Sequence, residues 1–126
     1  MTRKVRILVV DDELVMRNLF TDILEEEGYE VTVVNHGKEA QEIVQREEFD
    51  IAFVDVHMPV MDGVKTLYTL RDIAPNIAII MMDSMPEELM ERFKKESAVT
   101  CIHKPFNIDE VRSVVLEIIK ERGLGG

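Results

Sequence analysis

The feature of this sequence that most constrains its fold is the regular alternation of short apolar runs with amphipathic segments. Five apolar runs have the length of buried strands, and a helical pattern follows each of them. The predicted strands are residues 5–10, 29–34, 51–54, 77–82 and 99–103, and the predicted helices are residues 14–27, 38–47, 64–73, roughly 86–96 and 108–122. Strands that alternate with helices in this way predict one parallel sheet with helices on both of its faces.

Local signals mark the ends of several predicted helices. Gly28 follows the first helix, in a place where glycine commonly stops a helix. Asn107 precedes the last helix and Glu110 comes three residues later, which is the capping-box arrangement. Residues 123–126 (GLGG) are expected to form a flexible tail, and no linker or repeat divides the chain. We therefore predict a single domain over residues 1–126.

The apolar residues of the first and last predicted helices fall on one face of each helix. This face is predicted to pack against the sheet. It contains Val15, Met16, Leu19, Phe20, Ile23 and Leu24 in the first helix, and Ile108, Val111, Val114, Val115, Ile118 and Ile119 in the last.

Composition and charge exclude several classes of protein. The 126 residues carry a formal net charge of −10, which argues against a nucleic-acid-binding surface. No apolar run is long enough to span a bilayer, and the apolar part of the N-terminal stretch is too short for a signal peptide. A single cysteine, Cys101, cannot form an internal disulfide and suits a reducing compartment. We expect a cytoplasmic protein that binds neither nucleic acid nor membranes.

Polar residues follow four of the five predicted strands at the point where each strand ends. They are Asp11 and Asp12 after the first strand, Asp55 after the third, Asp83 and Ser84 after the fourth, and Lys104 after the fifth. Because the carboxyl ends of parallel strands share one edge of the sheet, these side chains are expected to converge. Clustered carboxylates need a cation, and oxygen ligands favour Mg²⁺ or Mn²⁺. A carboxylate beside such a cation and an ammonium group can accept a phosphoryl group as an acyl phosphate.

Three segments carry a resemblance to a known family. ILVVDDE (7–13), FVDVHMPVMDG (53–63) and IHKPF (102–106) resemble the response-regulator receiver domain of two-component signalling. The resemblance covers essentially the whole chain, and the joint spacing of these motifs is highly specific. It implies a flavodoxin-like, doubly wound sheet of five parallel strands in the order 2-1-3-4-5.

The resemblance also implies roles for individual residues. Asp55 would be the phosphoacceptor. Asp12, Asp55 and the backbone carbonyl of His57 would bind Mg²⁺ directly, and Asp11 would act partly through water. Lys104 would contact the phosphoryl group. The loop over the site would be shaped by Met58, Pro59, Asp62 and Gly63, and the Lys104–Pro105 bond would be cis.

Two switch positions depart from the family pattern. Asp83 stands where the family has a threonine or serine hydroxyl, and we take it as a candidate metal ligand. Cys101 stands where the family has a tyrosine or phenylalanine, and we expect it to be a small core residue. Ser84 has two interpretations: it caps the fourth helix, with Glu87 three residues on, or its hydroxyl contacts the phosphoryl group. The side chains of His57 and Met85 are expected to tune phosphoryl lifetime.

The resemblance implies a stand-alone signalling switch rather than an enzyme, one that assists only its own phosphorylation and dephosphorylation. A sensor histidine kinase, a phosphotransfer protein or a small donor such as acetyl phosphate would supply the phosphoryl group. Output to an unknown downstream protein would pass through the face formed by the fourth helix, the fifth strand and the last helix. The alternative is a receiver-fold binding module that binds metal but is poorly phosphorylated or not at all. A haloacid-dehalogenase-type phosphatase and a flavodoxin are disfavoured, because the segment after the first strand fits neither.

Overall fold

The structure is a computed structural model that describes residues 4–56, 63–83, 87–88, 91, 94–95, 99–104 and 106–124. Its strands are β1 (Arg6–Val10), β2 (Glu30–Val34), β3 (Ile51–Asp55), β4 (Ala78–Asp83) and β5 (Thr100–His103). Its helices are α1 (Leu14–Glu26), α2 (Gly37–Val44), α3 (Gly63–Ile73) and α4 (Ile108–Arg122). Residues 87–88, 91 and 94–95 are also helical and fall within the predicted helix at roughly 86–96, whose remaining residues lie outside the described part of the chain.

The five strands form one parallel sheet in the order β2-β1-β3-β4-β5, which confirms the predicted topology. β1 lies between β2 and β3, and its Val10 is in register with Val34 of β2 and with Val54 of β3. On the other side of β3, Asp55 is in register with Met82 of β4, and Asp83 is in register with His103 of β5. The ends of β1, β3, β4 and β5 therefore meet at one edge, as the strand-end residues required.

Helices cover both faces of the sheet and divide the core into two layers. Alternate residues of each strand point to opposite faces. Ile7, Val9 and Phe53 pack on one face against α1 and α4, and the ring centroids of Phe53 and Phe20 lie 4.9 Å apart. Leu8 and Val54 pack on the other face against α2 and α3. Because both faces are covered, β3 and β4 are buried along their whole length, and this explains their continuous apolar sequences.

The predicted apolar faces of the outer helices are partly wrong. Phe20, Ile23 and Leu24 are buried in α1, but Val15 is 75% exposed. At 3.6 residues per turn, Val15 lies about 130° round the helix from the centre of that buried stripe. In α4, the residue Ile108 begins the helix and is 43% exposed, whereas the later members of its predicted face pack against the sheet.

The helix ends follow the local signals. Gly28 has φ of 90°, a left-handed conformation that glycine adopts easily, and it lies just after the end of α1. Asn107 caps α4 by accepting a hydrogen bond of 2.8 Å from the Glu110 amide. Gly123, with φ of 64°, and Leu124 form a Schellman-type cap, in which the Leu124 amide donates to the Ile119 carbonyl over 3.0 Å. Leu124 also packs against the core, so the tail predicted at 123–126 does not begin at residue 123.

Within the residues that the structure describes, no helix combines the length and the apolar character needed to cross a bilayer.

Candidate functional site

Four carboxylates come together at the carboxyl edge of the sheet. Asp11, Asp12 and Glu13 form the connection from β1 to α1, and Asp55 is the last residue of β3. Each offers one oxygen atom, and these oxygens all lie within 4.8 Å of one another. Asp11 and Asp55 are buried, whereas Asp12 and Glu13 are exposed. The cluster therefore has a buried floor and a mouth that is open to solvent.

Asp11 is held in place by hydrogen bonds from three sides. Its amide continues the ladder of β1 one residue further by donating to the Val34 carbonyl over 3.2 Å. Its Oδ1 accepts from the Glu13 amide at 2.8 Å, and its carbonyl accepts from Arg17 Nη1 at 2.9 Å. These bonds close the turn between β1 and α1, and they present the acidic side chains at the end of the strand.

The other carboxylate oxygen of Asp11 shows that a positive charge fits this site. Asp11 Oδ2 is buried and has no hydrogen-bond partner in the structure. Burial raises the pKa of Asp11 from 3.8 to about 6, and the charges of Asp55 and Glu13 also raise it. The hydrogen bond from the Glu13 amide and the charge of Lys104 lower this pKa, but by less. A buried carboxylate oxygen without a partner is costly. A hard divalent cation would supply that partner, since all the converging ligand atoms are oxygens.

Lys104 is the ammonium group predicted for this edge. Its Nζ lies 3.3 Å from Asp55 Oδ2 and 4.0 Å from Asp11 Oδ2. Its backbone amide donates to the Asp83 carbonyl over 2.6 Å, which ties the end of β5 to the end of β4. The structure therefore brings together Asp11, Asp12, Asp55 and Lys104 as the strand-end pattern indicated.

Asp83 is not one of the four carboxylates that meet, although it ends β4 and is only 2% exposed. Because Asp55 is in register with Met82, these two residues face the same side of the sheet, and Asp83, one residue further, faces the other side. Its charge also acts on the Cys101 thiol, which alternates onto that side. The interpretation of Asp83 as a candidate metal ligand is therefore not supported.

Cys101 is half-buried and packs against the core layer beneath α2 and α3. Burial is the main cause that raises the pKa of its thiol to about 11; the charges of Asp83 and Glu91 add to the shift, and Lys94 opposes it. A thiol with such a pKa is almost entirely protonated at neutral pH and is a poor nucleophile. Cys101 was predicted to be a small core residue, and the structure places it half-buried at the border of that core layer.

Several predicted site residues lie outside the described part of the chain, namely His57, Met58, Pro59, Asp62, Ser84, Met85 and Pro105. Gly63, which the resemblance also implied for the loop over the site, is described. Its amide donates to the Val56 carbonyl over 2.8 Å, and any side chain at this position would collide with the backbone of Asp55 and Val56. Glycine is therefore required where α3 begins against the end of β3.

Sequence reasoning missed two residues of this region. Glu13 joins the carboxylate cluster, and its signal was its place directly after Asp11 and Asp12. Arg17, which holds the Asp11 carbonyl, lies four residues after Glu13, so it stands one helical turn above the site.

The cavities on the described surface include one near the site and one far from it. One, of about 420 Å³, is an apolar groove between α1 and the start of α4, close to the carboxyl edge; it is lined by Leu19, Ile23, Phe106, Asn107, Ile108, Asp109 and Val111. The other, of about 960 Å³, is lined by the connections after α2 and α3, including Phe49, Asp50 and Asn76. It lies at the amino-terminal edge of the sheet and is separated from the carboxylates by the length of the strands.

Comparison with known proteins adds an independent finding. Residues 7–116 match the model of the response regulator receiver domain. The chain is 35% identical to sporulation initiation phosphotransferase F of Bacillus subtilis over 111 residues, which cover 87% of this chain and 90% of that protein. It resembles the CheY-like response regulator receiver domain protein of Methanospirillum hungatei with a TM-score of 0.88 and 27% identity, over 96% of this chain and 98% of that one. Response regulator TrrA of Thermotoga maritima, solved in complex with Mg²⁺ and BeF, gives a TM-score of 0.80 and 30% identity, over 90% of this chain and 98% of that one.

Proposed function

The chain belongs to the response regulator receiver domain family. We propose that Asp55 accepts a phosphoryl group in a reaction that depends on a divalent cation. The observation that carries the proposal is the contact of 3.3 Å between Lys104 Nζ and Asp55 Oδ2, beside three further carboxylates. A lone carboxylate at the end of a strand would be a poor nucleophile, and this surrounding supplies the charges that phosphoryl transfer needs.

The reaction follows from the positions of these groups. A carboxylate oxygen of Asp55 attacks the phosphorus of the donor and forms an acyl phosphate, while the bond from phosphorus to the donor breaks and the donor leaves with that electron pair. Lys104, which already contacts Asp55, would donate hydrogen bonds to the phosphoryl oxygens. Asp55 is only 3% exposed and lies in the buried floor of the cluster, so the site limits the access of bulk water.

Mg²⁺ is the cation that this donor set fits. Asp11, Asp12 and Asp55 would hold it, and Asp11 Oδ2, which accepts no hydrogen bond, would gain a direct ligand contact. When bound, the cation offsets the repulsion between the carboxylates and the incoming phosphoryl group. The similarity to TrrA, which was solved with Mg²⁺ and BeF, supports this assignment.

The donor is proposed to be a sensor histidine kinase, a phosphotransfer protein or a small phosphodonor. Apolar side chains near the site suit a protein donor, since Leu14, Val15 and Leu19 of α1 and Ile108 of α4 are exposed. The similarity to a protein named phosphotransferase F is consistent with transfer between proteins. We propose further that the chain modifies no separate substrate, and that its phosphorylated form acts on a downstream protein by contact.

A second candidate function is a receiver-fold binding module that is not phosphorylated. The buried carboxylate of Asp83 favours it, because Asp83 replaces a hydroxyl donor with a negative charge at the end of β4. A negative charge there opposes the addition of a phosphoryl group to Asp55.

Intact-mass spectrometry after incubation with acetyl phosphate tests the proposal. We expect one added phosphoryl group in the presence of Mg²⁺, and none when the cation is chelated. Asp55→Asn should abolish the addition, whereas Asp50→Asn, at the other end of β3, should not. Phosphorylation of the Asp55→Asn variant to the same extent would overturn the assignment. Absence of phosphorylation by acetyl phosphate and by a histidine kinase would favour the binding module.

A further inference from the structure

Glu13 has a carboxylate that local structure does not use. It occupies the N-cap position of α1 with an extended backbone, but its side chain makes no capping hydrogen bond. Its backbone instead contributes to the site, since the Glu13 amide donates to Asp11 Oδ1 at 2.8 Å. An N-cap side chain normally accepts a hydrogen bond from the first turn of the helix. The carboxylate of Glu13 is therefore available for another role.

The position of that carboxylate is at the acidic cluster. One of its oxygens lies within 4.8 Å of a ligand oxygen from each of Asp11, Asp12 and Asp55. Four carboxylates and the Lys104 ammonium carry a formal charge of −3, which one divalent cation reduces to −1. Acidic residues often cluster on surfaces without a ligand, so this proximity alone does not define a site.

The second observation comes from the floor of the same cluster. Asp11 Oδ2 is buried and accepts no hydrogen bond, and the Lys104 ammonium stays 4.0 Å away from it, whereas Asp11 Oδ1 is satisfied by the Glu13 amide. An oxygen in this state indicates that a cation completes the site. Glu13 is exposed to solvent, whereas Asp11 and Asp55 are buried.

We infer that Glu13 is a fourth carboxylate ligand of the cation site and closes it on its exposed side. The inference rests on the proposed function, because the cation is the one that supports phosphorylation of Asp55. It adds to that function a ligand after the paired Asp11 and Asp12. A site with four carboxylates binds Mg²⁺ more tightly than one with three, and it remains loaded at lower Mg²⁺ concentration.

The competing explanation is a general effect of charge at a helix terminus. An acidic residue in the first turn stabilises a helix through its dipole and requires no ligand. That effect changes the stability of the metal-free protein. A ligand role changes the dissociation constant of the cation, and the two can be measured separately.

Isothermal titration calorimetry of the full chain with Mg²⁺ tests the inference. Glu13→Gln removes the charge and keeps the side-chain length. Asp22→Asn is the matched control, because it makes the same change in net charge on an exposed residue of α1. Asp22 lies about 13 Å further along the helix, beyond the screening length of about 10 Å in 0.1 M salt. Removing one carboxylate charge about 5 Å from a divalent ion should raise its Kd about fivefold, by Coulomb's law in water with this screening.

We expect Glu13→Gln to weaken Mg²⁺ binding at least fivefold, with Asp22→Asn within twofold of the unaltered protein. The loss should persist in 0.5 M salt, because a ligand contact is not screened as a distant charge is. Thermal melting without metal verifies that both variants are folded. Equal affinity of Glu13→Gln and the unaltered protein, or a loss that disappears in 0.5 M salt, would overturn the inference. If the unaltered protein itself binds no Mg²⁺, the proposed function fails; if it binds and only Glu13→Gln is without effect, the role of Glu13 alone fails.

Discussion

Replacing Asp11 by asparagine should stabilise the metal-free protein at neutral pH. Asparagine is nearly isosteric with aspartate, so its carbonyl oxygen can still accept from the Glu13 amide. Its amide group carries no charge and occupies the place of the buried Oδ2, which accepts no hydrogen bond. The substitution therefore removes the buried charge and preserves the shape of the turn between β1 and α1.

The magnitude follows from the pKa of Asp11, which burial raises from 3.8 to about 6. A raised pKa means that the folded state binds the proton more tightly than the unfolded state. The associated stability is complete below pH 3.8 and is lost as the pH rises through about 6. A shift of about two units corresponds to roughly 3 kcal/mol at pH 7.5. Asp11→Asn should recover most of this free energy of unfolding.

Urea denaturation in the presence of a chelator measures the effect. The free energy of unfolding of the variant minus that of the unaltered protein should be small near pH 4, should increase through pH 6 and should level off above pH 7. Asp22→Asn, which changes an exposed residue of α1, should show no such pH dependence. A difference that stays constant between pH 4 and 7.5 would refute the reasoning, because it would mean that folding does not raise the pKa of Asp11.

Three further predictions concern the site and its border. Lys104→Gln removes the ammonium group 3.3 Å from Asp55, so it should lower the rate of Asp55 phosphorylation by acetyl phosphate at least tenfold and should tighten Mg²⁺ binding. An unchanged rate by intact mass would show that Lys104 does not act on the phosphoryl group. Asp83→Thr should raise the steady-state phosphorylated fraction only modestly, because it removes a buried carboxylate whose side chain faces the opposite side of the sheet from Asp55. Calorimetry should show a smaller loss of Mg²⁺ affinity than for Glu13→Gln, because Asp83 lies outside the group of four carboxylates. Cys101, whose pKa burial raises to about 11, should react with iodoacetamide at pH 8 much more slowly in the folded than in the urea-unfolded protein; equal rates by mass spectrometry would contradict the burial of its thiol.

The fold could be predicted from the sequence because its signals are local. Apolar runs bounded by polar residues identified all five strands, and the β–α alternation implied a parallel sheet. Gly28 and Asn107 marked helix boundaries through backbone conformation and side-chain capping, which depend on a few neighbouring residues. Some boundaries matched and the others differed by at most three residues, as at α2, which ends at Val44 although its pattern continued to 47.

Most of the candidate site could be predicted for a related reason. Parallel strands place their carboxyl ends at one edge, so residues that follow separate strands meet without any knowledge of packing. Asp11, Asp55 and Lys104 satisfy this rule, and the contacts of Lys104 with both aspartates confirm it.

Only the tertiary structure decided which of these residues share a face and which are exposed. Asp83 follows its strand as Asp55 does, but the register of β3 against β4 turns its side chain to the opposite side of the sheet. Val15 has the helical spacing of a core residue, yet the direction in which α1 packs leaves it in solvent. Glu13 joins the carboxylates because the turn after β1 is closed by Arg17 and the Glu13 amide. Residue type and spacing determined the strands, the helices and the edge at which the acidic residues meet. Strand register, the packing direction of α1 and the closure of the turn after β1 depend on residues far apart in the chain or on backbone geometry, so only the tertiary structure could decide them.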